Sequence, residues 1–183
     1  GEEGMPVEHF RPKAGAVVHD PRWGHPQRVY DADRYWWLAW SWENLLFACH
    51  TCNTGFKKDS FPLVPGTPRL PLHPHRRRFP AKCRPPGCES PLLIDPSTED
   101  PLDHIAFYPR DATVPRQELF WVPVHQTERG RVTILVLGLD QHLPDAVTDH
   151  VRTQILPGFE QVEAEFAVRK PRAAAATWGA LLN

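Results

Sequence analysis

No stretch of this chain approaches the roughly 18 consecutive apolar residues that a membrane-spanning helix needs, so no membrane span is expected in it. The first residues are acidic and carry no apolar run, so no signal peptide is expected. Cysteine is scarce: four residues in 183 do not make the dense disulfide framework of small secreted domains, and a reducing cytoplasm is the expected setting. Net charge is nearly absent at −1, so the chain is neither a polycation nor an acidic tail. No internal repeat is present. Methionine occurs once, at Met5, while position 1 is Gly. Two readings stand, a native start at Met5 or a fragment of something longer.

What is abundant is proline, 21 residues, more than twice the usual share of about 5%. Many irregular connections and short elements follow. Hydrophobic content of 41% and charged content of 23% are those of a globular protein long enough to bury a core. The small net charge hides an asymmetry. Residues 1–90 hold 13 Lys and Arg against 9 Asp and Glu, a net of +4, and residues 91–183 hold 8 against 13, a net of −5. Sixteen of the 21 cations are Arg, the side chain that grips phosphate bidentately. A polyanionic substrate suits the basic half.

Along the chain, residues 6–13 read as a short strand ending at Pro12, and 14–34 as a charged, proline-containing loop. Residues 35–42 hold four of the seven tryptophans and read as a short helix with the indoles in the core. Asn44 to Cys49 reads as a second strand. Cys52 to Ser60 opens a helix, stopped before Phe61-Pro62. Residues 62–90 form an irregular basic loop. Leu119 to His125 and Val132 to Leu137 read as a β-hairpin around Glu128-Arg129-Gly130. Asp145 to Leu156 reads as a helix with Leu143, Val147, Val151 and Ile155 on one stripe, broken at Pro157-Gly158. A last helix reaches about residue 169, with Phe159, Val162 and Phe166 facing in. The expected organisation is a core over 1–63, a Pro/Arg-rich loop over 64–90, and a C-terminal hairpin with helices over 91–183.

Two stretches carry chemistry together: Val7-Glu8-His9-Phe10-Arg11-Pro12-Lys13, and Trp42-Glu43-Asn44 through Cys49-His50-Thr51-Cys52-Asn53. Phosphodiester cleavage needs an activated water, neutralised phosphate charge and a stabilised leaving oxygen. One divalent cation can serve the last two, and a histidine of near-neutral pKa the first. Glu8 and Asn53 are oxygen donors of the kind Mg²⁺ or Mn²⁺ takes, with water and phosphate filling the remaining positions. His9 is the general-base candidate, and Asn44 would hold its ring by a hydrogen bond. In a regular strand Glu8 and His9 point to opposite faces, so a twist or bulge is expected there. Lys13, Lys57, Lys58 and the run Arg76-Arg77-Arg78 are candidate nucleic-acid contacts, although a solvated charge run is the default for the arginines.

These residues resemble the HNH endonucleases, and more narrowly the HNH proteins found with Septu and retron anti-phage systems. Lys57-Lys58, Phe61-Pro62-Leu63, Glu89-Ser-Pro-Leu-Leu-Ile-Asp-Pro96, Glu99-Asp-Pro101 before His104, and Thr133-Ile134 through Gly138-Leu-Asp140 extend the resemblance over roughly residues 6–165. It implies an α+β protein on a ββα-metal core, with His9 as base, Glu8 and Asn53 as ligands of a catalytic Mg²⁺ or Mn²⁺ ion, and Asn44 supporting His9. It also implies a defence nuclease that cuts DNA beside an ABC/SMC-type ATPase. Cleavage of RNA, or a zinc-stabilised binding module without catalysis, are the alternatives. Cys49 and Cys52 supply half of a tetrahedral structural Zn²⁺ site. Cys83 and Cys88 complete it, with His73 and His75 in reserve, or an upstream Cys-x-x-Cys like that of many relatives lies outside this chain.

Overall fold

The computed structural model describes residues 7–70 and 87–167. It is a mixed α/β chain built from three two-stranded sheets, several short 3-10 turns and helices. The described residues form two compact units. One takes the residues up to Ala106 together with Val124–Leu139, the other Phe107–Pro123 and the residues from Asp140 on. Residues 64–70 and 87–106 share the first unit with 7–63.

In the first unit, β1 (Val7–His9) runs antiparallel to β4 (Leu45–Phe47), with Glu8 opposite Leu46 and His9 opposite Leu45. The helical segment Thr51–Lys57 follows β4 after three residues and has the wide turns of a π-helix. Both strands and this helix fall where the sequence placed them. Residues 14–34 are more ordered than expected. β2 (Ala16–His19) pairs antiparallel with β3 (Val29–Asp31), and Asp20 caps a 3-10 turn over Pro21–Trp23 by accepting from Arg22 N–H. Val17 also bridges to Ser60, which closes the end of the 51–57 helix against β2.

The core of this unit gathers Phe10, Ala16, Val17, Val18, Trp23, Tyr35, Trp37, Leu38, Phe61, Leu63, Leu70, Leu92, Leu93, Val132 and Val136. Phe61 is its aromatic hub, edge-on to both Phe10 and Tyr35 with ring centroids 5.3 Å apart in each case, a favoured aromatic geometry.

Val132 to Leu137 is not a strand. Glu128–Leu137 is helix α1, and β6 (Trp121–His125) pairs with β5 (Ile105–Pro109). The β-branched run suggested alternation, but the helix has both end signals: the Thr127 hydroxyl accepts from Gly130 N–H, and Gly138 closes the helix at φ 60°. Local capping and burial of Val132, Ile134 and Val136 override strand propensity.

In the second unit, α2 (Leu139–His150) leads through the wide turns of Val151–Ile155 into α3 (Leu156–Ala167). Pro157-Gly158 therefore does not break the helix. Pro157 lacks the N–H that a regular ladder would use, and the helix accommodates this by widening in the turn just before it. Leu143, Val147, Val151 and Ile155 are half-buried as a stripe, and Val162 is buried. Phe166 is 57% exposed, contrary to expectation. Thr148 accepts from Trp121 N–H at 2.9 Å, and Arg116 pairs with Glu163 at 3.0 Å. Among the described residues no helix is long and apolar enough to cross a membrane.

Candidate functional site

The β1–β4 register runs without a shift, so strand alternation separates Glu8 from His9. Glu8 turns into a pocket of about 200 Å³ lined also by Asn53, Lys57, Cys49, Cys52 and the apolar Phe10, Leu46, Leu93, Ile94 and Leu137. No bulge is present at this point. The structure thus brings Glu8 and Asn53 together from two separate segments. Glu8 and Asn53 both line this pocket, and a carboxylate with an amide oxygen is a donor set of the kind Mg²⁺ takes.

Lys57 is the unexpected member of the pocket. It lies one helical turn beyond Asn53 on the same segment, is 5% exposed, and donates to Glu8 Oε1 at 2.8 Å and to the His9 carbonyl at 2.9 Å. Burial pulls its pKa down, opposed by the Glu8 carboxylate. Lys57 is therefore an interior partner of Glu8 and does not face solvent as the expected phosphate contact. Lys13 and Lys58 are exposed. Lys58 ends the helix at φ 51°, an uncommon conformation for a side-chain-bearing residue.

His9 is half-buried on the other side of β1, its Nε2 2.9 Å from the Ala39 carbonyl. A carbonyl only accepts, so Nε2 carries the proton when the ring is neutral and the lone pair lies on Nδ1. This is the tautomer a general base requires. The residue that holds the ring is thus Ala39, through its backbone, rather than Asn44. The reason is the position of Asn44, which is fully buried and already committed. Its Oδ1 accepts from Arg11 N–H at 2.8 Å, and its Nδ2 donates to the Arg11 carbonyl at 2.9 Å and the Leu38 carbonyl at 3.3 Å. Asn44 pins the backbone just past His9 and supports the ring at one remove.

Beneath this backbone lies an ionic cluster that sequence reading missed. Glu89, with no side-chain exposure, accepts from Arg11 Nε at 3.2 Å, Arg34 Nη2 at 2.8 Å and the Tyr35 hydroxyl at 2.9 Å. Burial, then the Glu89 charge, push the Tyr35 hydroxyl up from its ordinary value. Nothing in the spacing of these residues announces the cluster.

Of the seven tryptophans, Trp23 and Trp37 are core, while Trp40 is 95% and Trp42 84% exposed. The core expectation fails for these two and for the half-exposed Trp36; Trp40 and Trp42 follow the turn that presents the Ala39 carbonyl to His9.

Cys49 and Cys52 lie side by side, their sulfurs within 4.8 Å, and Cys52 N–H donates to Cys49 Sγ at 3.1 Å. Burial, with Cys49 beside it, pushes the Cys52 thiol up to about 12. The paired sulfurs fit one half of a tetrahedral thiolate site. Cys88 does not join them: its thiol is 3.5 Å from the Arg69 carbonyl. Cys83, His73, His75 and Arg76, Arg77 and Arg78 lie outside the described residues.

Compared with known proteins, the chain is 35% identical over 104 residues to the Septu protein PtuB of Bacillus mycoides (strain KBAB4), a match that covers 55% of this chain and 29% of that protein. This chain therefore spans less than a third of the relative it matches. No protein-family model matches the chain, and no solved structure matches it significantly.

Proposed function

We propose that this protein is a metal-dependent HNH-type endonuclease that hydrolyses phosphodiester bonds in DNA, as the nuclease of an anti-phage system that works beside an ABC/SMC-type ATPase. One observation carries the reading. Glu8 and Asn53 share a pocket, while the next residue, His9, is held by a carbonyl in the tautomer that leaves Nδ1 free to take a proton. The similarity to a Septu protein supports the defence setting.

In this reading Glu8 and Asn53 hold Mg²⁺ or Mn²⁺, which when bound would neutralise phosphate charge and stabilise the leaving oxygen. His9 Nδ1 takes the proton from the attacking water. The charge that develops on the ring is shared with the Ala39 carbonyl through Nε2–H. Asn44 fixes the Arg11 backbone and with it the end of β1, so the base keeps its place relative to Glu8. Exposed Lys13 and Lys58 meet the nucleic-acid backbone, and Trp40 and Trp42 offer flat faces to bases. Cys49 and Cys52 hold a structural Zn²⁺ with two further ligands, which fastens the start of the helix that carries Asn53.

The test is plasmid nicking by purified protein with Mn²⁺ or Mg²⁺, beside His9→Ala and an EDTA control. Metal-dependent nicking that disappears in His9→Ala is expected. Nicking that survives the substitution would show that His9 is not the base. Parallel digestion of duplex DNA, single-stranded DNA and tRNA separates the DNA reading from an RNA nuclease. A protein that cuts none of them, even with its ATPase present, would be a binding module.

A further inference from the structure

We infer that Lys57 is a resident cation that makes metal loading at Glu8 and Asn53 depend on bound nucleic acid. The inference rests on the metal-site reading above. Its observation is independent of that reading: the Glu8 carboxylate, with a side chain 16% exposed, is already neutralised by an ammonium whose own side chain is 6% exposed, at 2.8 Å.

The Lys57 ammonium cannot simply swing away. Its stem is enclosed in the core, and its second bond, to the His9 carbonyl at 2.9 Å, ties it to β1. A divalent ion arriving at Glu8 and Asn53 would therefore meet a fixed positive charge on the same carboxylate, in a pocket that screens poorly. One Glu facing Lys57 and a divalent ion leaves two excess positive charges and no second carboxylate among the residues that line the pocket. A phosphodiester brings one negative charge and halves that excess. With the strand in place the repulsion between the ion and the ammonium is partly offset. Without it they oppose one another.

Such an arrangement couples the two ligands: nucleic acid raises metal affinity, and metal raises nucleic-acid affinity by the same factor. It also gives a reason for burying a lysine at this position. The free protein stays poorly loaded, and loading follows engagement with a strand.

The measurement is Mn²⁺ binding to the full chain, read by the electron paramagnetic resonance of free Mn²⁺, with and without a phosphorothioate oligonucleotide that resists cleavage. Wild-type protein is expected to bind Mn²⁺ weakly alone and about tenfold or more tightly with the oligonucleotide, within the usual range of coupling. Lys57→Met is expected to bind Mn²⁺ about tenfold more tightly alone, with the oligonucleotide adding less than about twofold. Lys57→Arg keeps the charge and should keep the coupling. Lys57→Met binding no tighter than wild type, or retaining full coupling, would overturn the inference. Should Lys57→Met not fold, the wild-type titration still decides, since Mn²⁺ affinity indifferent to the oligonucleotide refutes the coupling directly. Glu8→Gln separates the two readings. Mn²⁺ binding unchanged in Glu8→Gln means that the metal site itself is misplaced, whereas binding lost there with no coupling in wild type rejects only the role of Lys57.

Discussion

Glu89→Gln removes one charge from the most enclosed ionic cluster described in the protein. The substitution keeps the size of the side chain and one carbonyl oxygen, and whatever the amide's orientation Arg34 keeps its second partner, Asp31, at 3.3 Å. Arg11 does not fare so well. Its Nε contacts Glu89 Oε2 at 3.2 Å, its side chain is 2% exposed, and its guanidinium lies 5.0 Å from the centre of the Phe61 ring. If the new amide nitrogen faces Arg11, donor meets donor. If it faces Arg34, the same conflict arises there. Either way a buried guanidinium loses its counter-charge, a change that costs about 3–5 kcal/mol in comparable settings. For a chain of this size that is a fall in Tm of roughly 6–20 °C. Urea melts that report ΔG at an unchanged m-value, together with calorimetry, are the assay. Arg11→Met placed on top of Glu89→Gln removes the stranded charge and should lose less than the two single changes added together. A loss below about 1 kcal/mol for Glu89→Gln, with additive double-mutant behaviour, would refute the view that this cluster braces the backbone under His9.

Asn44→Ala strips three hydrogen bonds from a fully buried position and should cost about 2–3 kcal/mol in chemical denaturation. Asn44→Asp should not rescue it, because an ionised carboxylate cannot donate to the Arg11 and Leu38 carbonyls. The Arg129 guanidinium, bonded to both oxygens of Glu99, is the main cause that holds the Glu99 pKa down from 4.5 to about 2. A carboxylate depressed in the folded state contributes stability above its unfolded pKa, and that contribution fades as pH falls from about 4.5 towards 2. Acid titration of Tm should therefore show a slope in that window that Arg129→Met flattens; an unchanged slope would remove the pair from the account. Gly138→Ala drives a Cβ into the Phe56 ring at a backbone φ of 60°, so it should lower stability by about 2 kcal/mol or more. Phe56→Ala in the same chain should recover part of that loss, and equal Tm values for the single and double variants would argue against the contact.

The strands β1 and β4 and the helix after them were legible because each rests on a local signal: a short stretch ended by Pro12, an apolar run before Cys49, and a helix stopped at Phe61-Pro62. That Glu8 and Asn53 line one pocket was suggested by their donor types and by the resemblance, whereas alternation along the strand told only that Glu8 and His9 take opposite faces. Elsewhere non-local burial decided. Residues 16–19 lack alternation because Val17 is enclosed by β3 on one side and Ser60 on the other, so they read as loop. Val132 to Leu137 reads as strand because β-branched residues outweighed a Thr cap and a closing Gly that were both visible. The hold on His9 left no trace at all, since a backbone carbonyl such as that of Ala39 has no residue-type signature. Lys57 is the instructive case. Beside Lys58 it looks like half of a basic pair facing solvent, yet it stands four residues after Asn53, which on a helix puts the two on one face. If Asn53 faces the pocket, Lys57 does too, and an ammonium there is stable only if a carboxylate comes to meet it. Glu8, assigned to the same pocket for other reasons, is that carboxylate. The spacing is compatible with the pair that the structure shows at 2.8 Å, although the sequence reading took Lys57 as a phosphate contact.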